Sequence, residues 1–172
     1  MSNPHTILVS IDGLPLGTRA VLLRDITAEN WREALTLSLD PAQLPFVSDT
    51  ACPVALALAK AYIRPGGLTV TPFGIYAGCT MVGFFALAYE PGSANRYLLM
   101  HFLIDRRHQR RGYGLGALQA LVVLLHDRFP DCVSLDLTVH PDNHPAQVLY
   151  TRFGFEDTGS LLFGEPYYRL VM

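Results

Sequence analysis

A chain of 172 residues, half of them hydrophobic and 16% charged, is long enough to bury one continuous core and too apolar to be disordered. Its formal net charge of -2 excludes an overall positive field that would draw it onto nucleic acid or an acidic membrane surface, so any anion site must be local. Cys52, Cys79 and Cys132 show neither a CxxC pair nor Cys/His ligand spacing, which argues for reduced thiols and against a structural metal. No stretch approaches the ~18 apolar residues of a membrane span, and no basic leader opens the chain, so a cytoplasmic protein is expected.

Residues 1–19 mix a β-like run (Thr6 to Ile11) with Gly13, Pro15 and Gly17 and read as an arm or extra hairpin ahead of a single domain over residues 20–172. Ala20 to Leu23 has the pattern of a first core strand. Thr27 then offers an N-cap hydroxyl before Glu29, Trp31, Ala34, Leu35 and Ser38 at helical spacing. Pro41 and Pro45 end that helix, and Pro53 to Tyr62 predicts a second one, stopped by Pro65-Gly66-Gly67. Leu68 to Tyr76 and Thr80 to Tyr89, rich in β-branched and aromatic residues, predict a hairpin around Ala77-Gly78-Cys79.

Tyr97 to Ile104 is a nearly unbroken apolar run, the pattern of a central strand buried on both faces, with His101 as its conspicuous polar member. A polar loop follows, and then Leu115 to Leu125 predicts an apolar helix. Val133 to Val139 alternates as a strand, Asn143 to Arg152 reads as a helix ending at Gly154, and strands near Phe155 to Phe163 and Pro166 to Val171 close the chain.

The segment Gln109-Arg110-Arg111-Gly112-Tyr113-Gly114-Leu115-Gly116 places three glycines where a buried strand gives way to a helix. Unpaired backbone N–H groups and the helix dipole make such a junction an anion cradle, and missing Cβ atoms let a diphosphate approach the main chain. Arg106, Arg107, Arg110 and Arg111 add charge nearby. The glycines recur at every second position, so the GxGxxG dinucleotide pattern is not met, and no GxxxxGK[ST] is present. A solvated basic turn accounts for the arginines but not for the glycines.

Gln109-x-x-Gly112-x-Gly114 resembles the pyrophosphate-loop signature of the GNAT superfamily of N-acetyltransferases. Asn143, Ala146, Leu149, Tyr150, Gly154 and Phe155 resemble that superfamily's later segment, in the expected order. The resemblance implies a GNAT-like α/β (α+β) fold: a mixed, largely antiparallel sheet of six to seven strands, helices on both faces and a V-shaped opening between the fourth and fifth core strands. It implies acetyl-coenzyme A as co-substrate, held by the amides of Gln109, Arg110, Arg111, Gly112, Tyr113, Gly114, Leu115 and Gly116, with main-chain groups of Leu103 and Ile104 meeting the pantetheine arm and Asn143 contacting it. It makes Tyr150 the candidate acid for the departing thiolate, against a tyrosine that merely packs in the core.

Direct transfer needs a neutral amine, and a lysine-like ammonium of pKa ~10.4 costs roughly 4–5 kcal/mol to deprotonate at pH 7. His101 is therefore a candidate base or relay, with a hydrogen-bonded structural histidine as the alternative. Leu23-Arg24-x-Ile26-Thr27-x-Glu29-Asn30-Trp31, followed by Leu35, Leu37, Gln43, Phe46 and Val47, resembles bacterial polyamine acetyltransferases. On that resemblance Glu29, Trp31, Glu33 and Phe46 are the candidate acceptor-binding residues, with Asp40 and Asp49 as further carboxylates. The expected partner is a small amine rather than nucleic acid, membrane or metal, and a homodimer is compatible with the resemblance. An amino acid or a protein N-terminus as acceptor, and a non-catalytic acyl-coenzyme A sensor, stay open.

Overall fold

The computed structural model describes residues 7–8, 19–47 and 52–172. Of the expected N-terminal arm it describes Ile7–Leu8, a two-residue strand β1 that pairs antiparallel with β2 (Leu22–Asp25); most of the arm lies outside the described residues. β2 begins two residues later than the pattern suggested, because Leu22 to Asp25 are the residues in register with Tyr76 to Phe73 of the next strand.

The expected helix from Thr27 shrinks to one turn, α1 (Trp31–Ala34). Thr27 does not cap it; instead Asn30 Oδ1 accepts the Thr27 N–H at 2.8 Å. After Ala34 the chain tightens to i−3 bonds, from Thr36 N–H to Glu33 and Leu37 N–H to Ala34, and straightens. A 3-10 helix over Pro41–Phe46 follows, capped by Asp40 and Gln43 acting reciprocally. α2 (Pro53–Ile63) starts on a proline and ends at Arg64 in the left-handed region.

β3 (Thr69–Ala77), β4 (Thr80–Tyr89) and β5 (Tyr97–Ile104) form the meander of the sheet. α3 (Tyr113–Arg128), β6 (Ser134–Thr138), α4 (His144–Phe153), β7 (Glu156–Leu162) and β8 (Glu165–Val171) complete the chain. The strand order is β1-β2-β3-β4-β5-β6-β8-β7. All pairings are antiparallel except β5–β6, which is parallel. The sheet is the expected mixed one, with the short β1 strand added at its edge.

Helices cover both faces, and the alternation of the strands divides the apolar residues between two cores. On one side Leu118, Leu121, Leu124 and Leu125 of α3 pack with Phe73, Phe85, Leu87 and Leu99, and Tyr150 of α4 joins them. On the other, Ala34, Val54 and Ala57 of α1 and α2 meet Val70, Phe84, Ala86, Ala88 and Leu103. Each large side chain so buried contributes about 1.5–3 kcal/mol. The buried β4 and the partly buried β5 beside it therefore hold the site's position, and the site opens where that packing ends.

Candidate active site

Between β5 and β6 the parallel ladder has a single register pair, Leu98 with Asp136; beyond it the strands part. The cause lies in β5. His101 and Phe102 together stand opposite one β4 residue, Phe85, since the register steps from Ala86↔Met100 to Phe84↔Leu103. His101 absorbs this bulge at φ +52, a left-handed conformation costing a non-glycine residue roughly 1–2 kcal/mol. The bulge turns β5 away from β6 and leaves the V-shaped opening expected between the central strands.

Two cavities fill that opening. One, of about 380 Å³, lies at the head of α3 and is lined by Leu103, Ile104, Gln109, Arg110, Gly112, Tyr113, Gly114, Leu115 and Asn143. The other, of about 300 Å³, lies over the bulge and is lined by His101, Tyr150, Thr138, Val139, Lys60, Phe163 and Glu165. Phe46, Val47, Phe102, Asn143, Ala146 and Leu149 line both, so the two share walls along one passage.

The first cavity has the cradle's chemistry. Gly112 caps α3 at φ +82, and the first bond within the helix runs from Gly116 N–H to the Gly112 carbonyl at 3.1 Å. The amides of Tyr113, Gly114 and Leu115 precede that bond and carry the partial positive charge of the helix start. A Cβ on Gly114 would sit 3.2 Å from Leu149 Cδ2, narrowing the passage. Gly116 has a different task from the one expected: its position is buried, and a Cβ there would lie 1.9 Å from the carbonyl oxygen of Arg19. That glycine admits the incoming chain, not a phosphate. Of the four arginines Arg110 lines the cavity, while Arg111 is exposed away from it.

Gln109 organises the loop. Its amide donates to the Ile104 carbonyl at 3.0 Å and to Gln43 Oε1 at 2.9 Å, so the Ile104 main-chain oxygen, expected to meet a pantetheine arm, already has a partner. Asp105, fully buried, accepts from Ser38 N–H at 2.9 Å and from Arg107 through both backbone and guanidinium. Burial by itself raises its pKa, but the Arg107 and Ser38 hydrogen bonds outweigh that and hold it at about 2. Sequence reasoning missed Asp105, although a carboxylate directly after a buried strand and before two arginines was a readable signal.

At the second cavity, His101 Nδ1 lies 3.3 Å from the Val47 carbonyl and Nε2 lies 3.2 Å from Lys60 Nζ. A carbonyl only accepts, so Nδ1 carries the proton and the Nε2 lone pair receives the lysine N–H. Burial, and then the Lys60 charge, lower the His101 pKa to about 4 despite the Val47 hydrogen bond. Tyr150 is buried in the wall with no hydrogen-bond partner for its hydroxyl among the described residues, and burial pushes its pKa well above the ordinary phenol value. Asn143 caps α4 through a 3.4 Å bond from Ala146 N–H and faces both cavities.

The sequence model of the Acetyltransferase (GNAT) family matches residues 23–155, which takes in the cradle, the bulged strand and α4. The chain belongs to the GNAT family. A spermine/spermidine N(1)-acetyltransferase of Bacillus subtilis is 31% identical over 144 residues, 84% of this chain and 93% of that protein. The GNAT domain of S. lividans PAT superposes with a TM-score of 0.72 at 14% identity, covering 97% of each chain. The acetyl transferase of Salmonella typhimurium that modifies the N-terminal serine of ribosomal protein L7/L12 does so with a TM-score of 0.68 at 17% identity, over 91% of this chain and 97% of that one. At such identities the structural likeness speaks for the fold, and the GNAT family assignment for acyl-coenzyme A-dependent N-acetyl transfer. The cradle's free amides, the arginine beside them and a passage continuing to the bulge fit a coenzyme's diphosphate and arm.

The acceptor side of this GNAT chain departs from the expectation. Glu29 is exposed and bonded to Thr27. Trp31 stacks with Arg32. Glu33 accepts from Tyr76 Oη at 3.1 Å and from Met81 N–H at 3.0 Å, pinning α1 to the β3–β4 hairpin. Asp40 caps the 3-10 helix, and Asp49 lies outside the described residues. Among the expected acceptor residues Phe46 alone lines the cavity. Lys60, Phe163 and Glu165, which do line it, carry no motif and come from α2 and the β7–β8 hairpin. Among the described residues no three His, Cys, Asp or Glu side chains converge as metal ligands, and no helix is long and apolar enough to cross a membrane.

Proposed function

We propose that the protein transfers an acetyl group directly from acetyl-coenzyme A to the primary amine of a small acceptor, the donor lying along the α3 cavity and the acceptor entering over His101. The observation that carries this reading is the continuity of the two cavities, with an amide cradle at one end and an unpartnered tyrosine hydroxyl at the other. The neutral amine nitrogen attacks the thioester carbonyl carbon, the carbonyl pair moves onto oxygen, and its return expels the sulfur. Tyr150, protonated throughout the physiological range, donates a hydrogen bond to the thiolate as its charge develops. A phenol of raised pKa stabilises that thiolate without surrendering its proton to it, so the amine's own proton ends on the sulfur or in water.

His101 suits positioning better than proton removal. With a pKa of about 4, it would accept a proton from an ammonium of pKa ~10.4 only at a cost of about 9 kcal/mol. The acceptor amine therefore arrives neutral.

Release of free thiol from acetyl-coenzyme A, measured against a panel of amines, tests the proposal. Amine-dependent release with an N-acetylated product supports it; tight coenzyme binding without release would instead favour an acyl-coenzyme A sensor. A polyamine acceptor is favoured by one observation, the activity named for the B. subtilis relative, and Glu165 is the carboxylate of the cavity wall that it would use.

A further inference from the structure

We propose that the acceptor is an aminocarboxylate, a primary amine with a carboxylate a few bonds away, and that Lys60 is the residue that holds that carboxylate. The inference rests on the transfer reading above and specifies the acceptor within it.

Lys60 stands on the last turns of α2, half-buried, with its side chain in the wall of the cavity over the bulge. Its ammonium has no carboxylate partner among the described residues; its one polar contact is Nε2 of His101 at 3.2 Å. An ammonium has three donors and no acceptor, so two N–H groups remain for a ligand. A cation partly removed from water and lacking a counter-charge is unfavourable by itself, and burial correspondingly lowers its pKa. A ligand carboxylate corrects both deficits at once.

The rest of the cavity limits what else can bind. Among the described lining residues Glu165 is the one carboxylate and Lys60 the one lysine or arginine, so their charges balance. A polyamine brings several ammonium groups to a site with one acid and one competing cation. Of the carboxylates expected to receive those groups, the described ones are engaged elsewhere: Glu29 with Thr27, Glu33 with Tyr76 and Met81, and Asp40 at a helix cap. A ligand with one amine and one carboxylate matches the two charges present.

Position fixes how far apart those two groups lie. Lys60 touches His101, and His101 is the bulge where β5 parts from β6. An anion on Lys60 therefore sits beside the place of attack, as the carboxylate of an α- or β-amino acid does. Phe46 and the exposed Phe163 flank the same cavity and offer an apolar wall to the remainder of such a molecule.

The test compares amino acids with the amines left when the carboxylate is removed: L-phenylalanine with 2-phenylethylamine, L-methionine with 3-(methylthio)propylamine, and L-lysine with cadaverine, alongside spermidine. In the wild-type protein kcat/KM is expected to favour at least one amino acid over its partner by roughly 10- to 100-fold, the range of a charge-assisted hydrogen bond. Lys60→Met should collapse that ratio toward one, and Lys60→Glu should invert it, with coenzyme A binding by both variants reporting that they fold. Preference for the carboxylate-free amines or spermidine in the wild type, or a ratio insensitive to Lys60, overturns the inference. If no amine yields thiol, the transfer reading fails on its own. The inference is then decided by calorimetry of the same amino acids on the coenzyme A-loaded protein, where Lys60-dependent binding sustains it and absence of binding overturns it.

Discussion

Tyr150 and His101 occupy one cavity under the same pressure from burial, which disfavours charge on either: the phenol is held protonated and the imidazole unprotonated, so their pKa values move in opposite directions. For Tyr150→Phe, which keeps the ring and removes the donor, kcat is expected to fall about 100-fold while the coenzyme dissociation constant stays within about twofold; steady-state rates and calorimetry measure the two separately. His101 predicts a pH profile. Because its pKa lies near 4 and not near its ordinary 6.5, log kcat/KM should rise with pH along the acceptor amine's own ionisation and show no break near 6.5. The same shift has a stability sign: the unfolded chain binds a proton between pH 6.5 and 4 that the folded chain refuses, so stability is full above 6.5 and is lost as pH falls toward 4. Gly116 belongs at this scale too. Alanine is the better helix former by about 1 kcal/mol, yet a Cβ at 1.9 Å from the Arg19 carbonyl forces chain movement costing about 1–3 kcal/mol, so Gly116→Ala should lower Tm in a thermal melt.

Among the elements, the strand-to-helix connection is held by a buried carboxylate. Asp105 ties the end of β5 to Ser38 of the chain leaving α1, and Arg106 N–H returns a bond to the Ser38 carbonyl at 2.8 Å. Its pKa of about 2 against an ordinary 3.8 contributes on the order of 2 kcal/mol at neutral pH, present above 3.8 and lost as pH falls through 2. Asp105→Asn should cost comparable stability at pH 7 in urea unfolding, and its deficit relative to the wild type should shrink between pH 4 and 2. The bulged β5 shows how an element's pattern can be right and its geometry hidden. The run from Tyr97 to Ile104 announced a strand buried on both faces; Tyr97, Leu99 and Leu103 are buried and the other five half-buried, and which residue would take the left-handed conformation depended on the pairing with Phe85 of β4. Likewise the helical spacing after Thr27 promised several turns, and α1 keeps one because Glu33 is pulled onto the β3–β4 hairpin by Tyr76 and Met81.

For the molecule as a whole, the passage between β5 and β6 joins two walls of different origin, and a coenzyme spanning it should bind the folded state alone. At a hundredfold excess over its dissociation constant, such a ligand adds about 2.7 kcal/mol, which in a chain of this size raises Tm by roughly 5–10 °C; differential scanning fluorimetry with coenzyme A reads this directly. The cavity at the head of α3 was legible in the sequence, since most of its lining comes from residues 103 to 115, neighbours along the chain ordered by one helix start. The same holds for α4, where Asn143, Tyr150 and Gly154 keep their spacing within a single short helix. The cavity over the bulge was legible only in part. Phe46 and His101 were singled out in the sequence, but Lys60, Phe163 and Glu165 join them only because a helix and a distant hairpin pack around the same opening, and no local pattern records which faces will adjoin. Thus the sequence alone determined most of the strands and helices through their periodicity and, through the motifs Gln109 to Gly114 and Asn143 to Phe155, the family, since each is recorded in residues close together along the chain. Tertiary packing decided which carboxylates were engaged in structure and which lysine was left facing the cavity, because both depend on contacts between segments far apart along the chain.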